Sequence, residues 1–196
     1  MNRILLIAVT ALVLSGCSLI DRNGGYENPF YAKYLNTGSA LDAQISATLE
    51  QLRQNPDSPT LHNELGSLLV QKGFPNDGER EFERALNADG RFYPAWYNLG
   101  QVRAARGDEI GARRAFRNTI DHKPGHALAL FNLGLIEEKR LNIERAVELY
   151  AKAFSINPAL MAVSIMTGIL GSILRIAVHN SYPFIPGRLI SSMTRL

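Results

Sequence analysis

A single cysteine, Cys17, in 196 residues excludes an intramolecular disulfide framework and any cysteine-rich metal site. The fold must therefore rest on apolar packing alone. Charge of one sign is equally scarce, since 21 basic and 18 acidic side chains leave a formal +3 and alternate along most of the chain. So small an excess gives no electrostatic footing for nucleic acid or for an acidic partner. The histidines are His62, His122, His126 and His179, with no carboxylate or thiol set beside them. Pro124 and Gly125 break the helix that would place His122 and His126 on one face, so no metal and no cofactor is expected. No glycine-rich phosphate loop and no nucleophile-elbow pattern is present, and an enzyme is not expected.

What the chain does contain begins at its first residues. Arg3 is the only charge before Cys17, residues 4–14 are apolar apart from Thr10, and Ser15 and Gly16 are small. This is the anatomy of a secretory signal peptide over residues 1–16. The apolar run falls well short of the roughly 20 residues a helix needs to cross a bilayer. Leu14-Ser15-Gly16-Cys17 resembles the lipobox of bacterial lipoproteins. That resemblance implies cleavage before Cys17, acylation of its thiol and of the new amino terminus, and stable anchoring, because each buried methylene contributes about 0.8 kcal/mol. Ser18, where an aspartate would redirect sorting, looks like an outer-membrane address. The implied location is the cell envelope, lipid-anchored, at the periplasmic face of the outer membrane if the cell is Gram-negative.

Residues 17–38 read as the lipidated cysteine and a tether rich in turn formers, among them Asp21, Asn23, Gly24, Gly25, Asn28 and Pro29. Tyr26, Phe30, Tyr31 and Tyr34 interrupt it; they either pack on the first helix or touch a membrane or partner. Residues 39–58 form an N-terminal helix, with Ser39 as its cap, Asp42 three residues on, and Leu41, Ile45, Leu49 and Leu52 at helical spacing.

Beyond it a pattern recurs about every 34 residues. His62, Trp96 and Leu130 share one place, and Leu65-Gly66, Leu99-Gly100 and Leu133-Gly134 share the next. Gly78, Ala112 and Ala146 follow, then Phe82, Phe116 and Tyr150, then Ala85, Thr119 and Ala153, and finally Gly90, Pro124 and Pro158. This pattern resembles the tetratricopeptide repeat over residues 59–92, 93–126 and 127–160. The implied fold is an all-α, right-handed solenoid of antiparallel helix pairs, closed by a hydrophobic C-terminal helix. Each glycine would let the partner helix approach, with Trp96 and Phe116 filling the remaining gap. Gly73, Gly107, Asp108 and Asn142 fall between the two helices of a repeat, where a C-terminal glycine and an N-cap belong. His62, Gly78 and Gly90 depart from the repeat pattern and point to a looser first copy.

Residues 159–180 carry Arg175 as their single charge before His179 and are too apolar for an ordinary polar cap. They cap the solenoid, self-associate or meet a membrane; Thr167-Gly168, in register with the Leu-Gly pairs, favours the first. Residues 181–196 are an irregular tail.

In tetratricopeptide-repeat proteins the first helix of each repeat lines a concave peptide-binding groove. The resemblance places Asn63, Tyr97, Asn98, Gln101, Leu128, Phe131, Asn132 and Leu135 there. Some relatives grip a C-terminal carboxylate with lysines, an arginine and asparagines at fixed places. Only Asn98 matches, with Asn63, Ser67, Leu128 and Asn132 at the others, so that clamp is missing. Tyr97, Phe131 and Leu135 suggest an extended peptide or amphipathic helix held by apolar anchors, unless the C-terminal segment itself fills the groove. The expected function is a membrane-anchored scaffold holding a partner protein in the bacterial envelope, similar to pilus pilotins and envelope-assembly lipoproteins. The alternative is a self-associating structural lipoprotein that uses the apolar C-terminal helix. No nucleic acid is expected as a partner; a homo-oligomer is compatible with either reading.

Overall fold

The computed structural model describes residues 39–166, which are helices joined by short turns with no strand among them. The leader, Cys17, the tether and its aromatics, the apolar segment from Thr167 through Arg175 and the tail lie outside the described residues. The chain divides between Ala88 and Asp89 into two compact units.

The first unit holds α1 (Ala40–Gln54), α2 (Pro59–Gln71) and α3 (Pro75–Ala88). Ser39 caps α1, its Oγ accepting from the Asp42 N–H at 3.2 Å. Ile45, Leu49 and Leu52 then bury one stripe against Leu65 and Leu69 of α2. Lys72, the C-cap of α2, pairs with Asp42 and so fastens α1 across it. That hydrogen bond from Lys72 is the main reason the Asp42 carboxyl sits below the usual carboxylate range.

The second unit holds α4 (Tyr93–Ala105), α5 (Glu109–His122), α6 (Ala127–Lys139), α7 (Ile143–Ile156) and α8 (Ala159–Met166). Its core gathers Phe116, Leu130, Leu133, Ile136 and Leu149, with Ala112, Ala129 and Ala153 between them. Leu160 and Met161 at the start of α8 pack on Tyr150, Phe154 and Ala146. No helix among the described residues is long and apolar enough to cross a membrane.

Three hairpins, α2/α3, α4/α5 and α6/α7, are built on one contact. A Cβ on Gly66 would lie 2.6 Å from Phe82, one on Gly100 2.6 Å from Phe116, and one on Gly134 2.8 Å from Tyr150. Each ring is buried and lies over the glycine of its own hairpin. The gap is therefore filled by one aromatic of the second helix; Trp96 has a different task from the one its position suggested. It is half-buried, and its Nε1–H donates to the Gly90 carbonyl at 2.8 Å. One repeat earlier His62 Nε2 meets the Pro56 carbonyl at the same 2.8 Å, so the imidazole replaces the indole donor. Its other nitrogen faces Glu81 Oε2 at 2.8 Å, and Arg84 holds the second Glu81 oxygen. Gly78 likewise does not loosen the first hairpin. A Cβ there would meet Val70 Cγ2 at 2.5 Å and the Gly66 carbonyl at 2.7 Å, so the missing methyl makes room for Val70 and the Gly66 backbone.

The turns inside the hairpins repeat as faithfully. Gly73, Gly107 and Leu141 stand one repeat apart, and all three have positive φ, at 93°, 84° and 61°. Each donates to a carbonyl three residues back while the next residue reaches five back: Phe74 to Leu69, Asp108 to Arg103 and Asn142 to Glu137. That is the Schellman closure, which requires the left-handed conformation. Asp108 goes on to cap α5 through Gly111 N–H at 2.9 Å. Asn142 stands at the N-cap of α7, as its place in the repeat implies, but makes no side-chain cap bond; its Nδ2 donates to Glu137 Oε2 at 2.7 Å. Leu141 is the exception in residue type, an 82% exposed side chain where glycine stands elsewhere. Leu141→Gly removes a left-handed strain of about 1–2 kcal/mol and adds roughly 0.5–1 kcal/mol of unfolded-chain entropy. A net gain of about 0.5–1 kcal/mol in urea unfolding is expected, and a loss would show that the exposed leucine makes contacts worth more than the strain.

Candidate functional site

In repeats of this kind the first helix of each hairpin faces a partner; here these helices are α4 and α6 in the second unit and α2 in the first. On α6 the buried residues are Ala127, Ala129, Leu130, Leu133, Gly134, Ile136 and Glu137. Leu128, Phe131, Asn132, Leu135, Glu138 and Lys139 therefore fall on the opposite, less buried side, as helical spacing requires. On α4 the inward set is Ala95, Leu99, Gly100 and Val102, which leaves Tyr97, Asn98 and Gln101 on the accessible side. Within the second unit these residues form one candidate face. Asn63 is half-buried on α2 in the first unit, where its carbonyl accepts from Ser67 Oγ at 2.9 Å.

The members of this face differ in how they are held. Tyr97 is half-buried, its ring 4.5 Å from His126 and 5.9 Å from Phe116, and its hydroxyl bonds the Asn132 side chain. Burial raises the Tyr97 hydroxyl above the ordinary phenol range, against the smaller pull of Asn132. Phe131 lies 5.3 Å from Tyr150 and 6.2 Å from Phe154. Tyr97, Asn132 and Phe131 are therefore partly spent on the fold, and Asn98 also has a partner of its own. Leu128, 42% exposed, Gln101 and Lys139 are open to solvent, with Leu135 half-buried between the anchors.

Two further groups, Glu138, which the repeat resemblance also places in the groove, and His126, which it does not, belong to the same face. Glu138 accepts a hydrogen bond from Tyr150 Oη at 2.8 Å, so its carboxylate is fixed at the Tyr150 hydroxyl. Burial first, and then that carboxylate, keep the Tyr150 hydroxyl protonated far above the usual tyrosine range. His126 begins α6: its Nδ1 accepts from the Ala129 N–H at 3.1 Å, and Tyr93 meets the ring edge-on at 5.9 Å. The register carried the signal, since Ser58 and Phe92 stand at the same place and Ser58 caps α2 through the Leu61 N–H. Among the described residues no group of three or more His, Cys, Asp or Glu side chains could hold a metal ion.

Residues 63–109 and 111–159 match the tetratricopeptide repeat family. Over 56 residues the chain is 39% identical to tetratricopeptide repeat protein 8 of Caenorhabditis elegans, a stretch that covers 29% of this chain and 11% of that relative. The chain thus spans about a tenth of the length of the curated relative it matches. Among solved structures, that of MamA superposes with a TM-score of 0.56 at 21% identity, covering 70% of this chain and 90% of the other. YrrB, described as a tetratricopeptide-repeat protein with an unusual peptide-binding site, superposes with a TM-score of 0.51 at 27% identity, over 60% of each chain.

Proposed function

We propose, from a chain that carries tetratricopeptide repeats in a helical-solenoid fold, that this protein is a lipid-anchored adaptor that holds a partner protein at the bacterial cell envelope. Tetratricopeptide repeats are protein-binding scaffolds, and the matches indicate no catalytic family. The observation that carries the adaptor reading is the face of α4 and α6. Ordered aromatics, Tyr97 and Phe131, frame the accessible Leu128 and Gln101, and no ring of lysines or arginines stands where a carboxylate clamp would need one. Such a face favours apolar anchors of an extended segment or amphipathic helix. YrrB, with its unusual peptide-binding site, supports peptide binding in a relative of the same fold. The envelope location rests on the leader, on the lipobox resemblance at Cys17 and on Ser18. The described part of the apolar C-terminal segment packs onto α7, which supports a capping role over self-association.

The test follows from how each side chain is held. Tyr97 and Phe131 contribute to the fold, so charges are placed at the open positions, as Leu128→Asp with Gln101→Glu. Membranes carrying the tagged protein are crosslinked and the partners identified. Loss of the specific partners from this variant, at unchanged helical content, is expected; an unchanged set of partners rejects the face. Cys17→Ala is expected to move the protein from the membrane fraction to the soluble one, and retention on the membrane rejects the lipid as sole anchor.

A further inference from the structure

His126 lies between the helices of the candidate face and is tied to both. We propose that it is a proton-operated latch: neutral, it caps α6 and steadies Tyr97, and protonated, it releases the α6 N-terminus and loosens the Tyr97 edge of the face. Only the consequence for binding rests on the adaptor reading; the latch itself does not.

The geometry fixes the starting state. Nδ1 accepts the Ala129 N–H at 3.1 Å, so it carries no proton, and the ring is neutral with its hydrogen on Nε2. A second proton would turn that acceptor into a donor aimed at another donor. It would also put a positive charge at the N-terminus of α6, where the helix dipole repels cations. The groups facing the ring with a charge or a titratable proton are Tyr93 and Tyr97 from α4 and Lys123 from the turn after α5. Lys123 also lies 5.9 Å from the Tyr93 ring centre, so its charge is held near the cluster. Two contacts act the other way, the tilted Tyr97 ring 4.5 Å from the imidazole and a backbone hydrogen bond. Desolvation outweighs them: burial, joined by the charge of Lys123, holds His126 below the ordinary histidine value.

The direction of the pH effect follows. A histidine depressed in the folded chain leaves the unfolded chain binding more protons. The stability it contributes is complete above the unfolded value of about 6.5 and is lost as pH falls through the folded one. The repeat register supplies the comparison inside the same molecule. Ser58, at the equivalent place, caps α2 with a hydroxyl that does not titrate, and its Oγ accepts from Leu61 N–H at 3.4 Å. Histidine at this place makes the cap of one repeat sensitive to protons while serine leaves the other insensitive.

The full chain, labelled for NMR, is titrated from pH 7.5 to 5. The His126 ring carbons, the Ala129 amide and the Tyr97 ring are expected to shift together with one midpoint below about 6.5. Once corrected for intrinsic rates, exchange of the Ala129 amide should quicken about fivefold across that step, the equivalent of a lost cap. His126→Ser should abolish the step at Ala129, and His122→Gln should retain it. A ring titration that leaves Ala129 unmoved overturns the latch, as does a step that survives in His126→Ser. Should the serine variant fail to fold, the wild-type ring titration and the Ala129 exchange decide the matter. An adaptor without partners would leave the Ala129 step in place, so failure of the latch and failure of the adaptor reading are distinguishable.

Discussion

Phe116→Ala is expected to destabilise the protein by about 3–5 kcal/mol, near the top of the range for removing a buried aromatic. The ring is 1% exposed and lies over Gly100, where a Cβ would stand only 2.6 Å from it. Its removal therefore leaves a cavity with glycine for a floor. Gly100 has no side chain to relax into that space, and cavities that collapse poorly carry the larger costs. Phe116 also belongs to the cluster with Leu130, Leu133 and Leu149, so one truncation weakens both the α4/α5 hairpin and its packing on α6. Stability in repeat arrays is close to a sum of such nearest-neighbour terms, and a central interface has no substitute. Urea unfolding of the soluble chain lacking residues 1–17, followed by helical circular dichroism, should show a lower midpoint at a similar slope. A loss below about 1 kcal/mol would mean that the ring is not the filler of the glycine gap.

The fold was readable because the repeat writes the same physical demand three times. A glycine and an aromatic sixteen places later, as in Gly66 and Phe82 or Gly134 and Tyr150, are meaningful only if two helices cross there, and they do. Positions whose role depends on a partner atom were less readable. Trp96 looked like a gap filler, yet its indole N–H spans to a carbonyl six residues back, a bond that residue type alone does not announce. Gly78 looked like a weakness, and only the neighbouring Val70 shows why a methyl is excluded. Asn142 looked like a side-chain cap because asparagine favours that place, but its Nδ2 donates to the buried Glu137 carboxylate and its side chain makes no cap bond to α7.

The candidate site was readable as a set of positions and not as a set of states. The repeat resemblance placed Leu128, Phe131 and Leu135 together on the outer side of α6, where they are less buried than Leu130, Leu133 and Ile136. It could not show that Tyr97 and Asn132 bond each other, because that contact joins α4 to α6 and depends on how closely the hairpins stack. Nor could it separate His126 from the other histidines. A histidine in a Pro-Gly turn reads as solvated until the ring is found 4.5 Å from an aromatic with its Nδ1 on a helix N–H.

Glu137 is the position whose large effect was least legible from residue type and spacing. It is 2% exposed on α6, where a lone charge would be costly, and three groups converge on it. Arg113 Nε donates to Oε1 at 2.6 Å from α5, and Asn142 Nδ2 donates to Oε2 at 2.7 Å from the following turn. Burial pushes this carboxyl up, but the bonds from Arg113 and Asn142 and the charges of Arg113 and Arg117 outweigh it, so the group lies below the usual carboxylate range. One side chain thereby joins two successive hairpins and sets the turn of the second. Removing one partner of a buried pair typically costs about 3–5 kcal/mol, mostly through the charge left behind. The Arg113 side chain is 30% exposed and can recover part of its hydration, so Glu137→Ala is expected to cost about 2–3 kcal/mol. Glu137→Gln keeps the shape and most of the hydrogen bonds and should cost roughly half as much. The wild-type advantage over Glu137→Gln should be complete above the unfolded carboxylate value and shrink as pH falls through the lower folded value, where the glutamate itself becomes neutral. Paired urea titrations at pH 7 and pH 3 measure this directly. An advantage of the wild type that is unchanged at pH 3 would show that Glu137 contributes through its shape and not through the ion pair with Arg113.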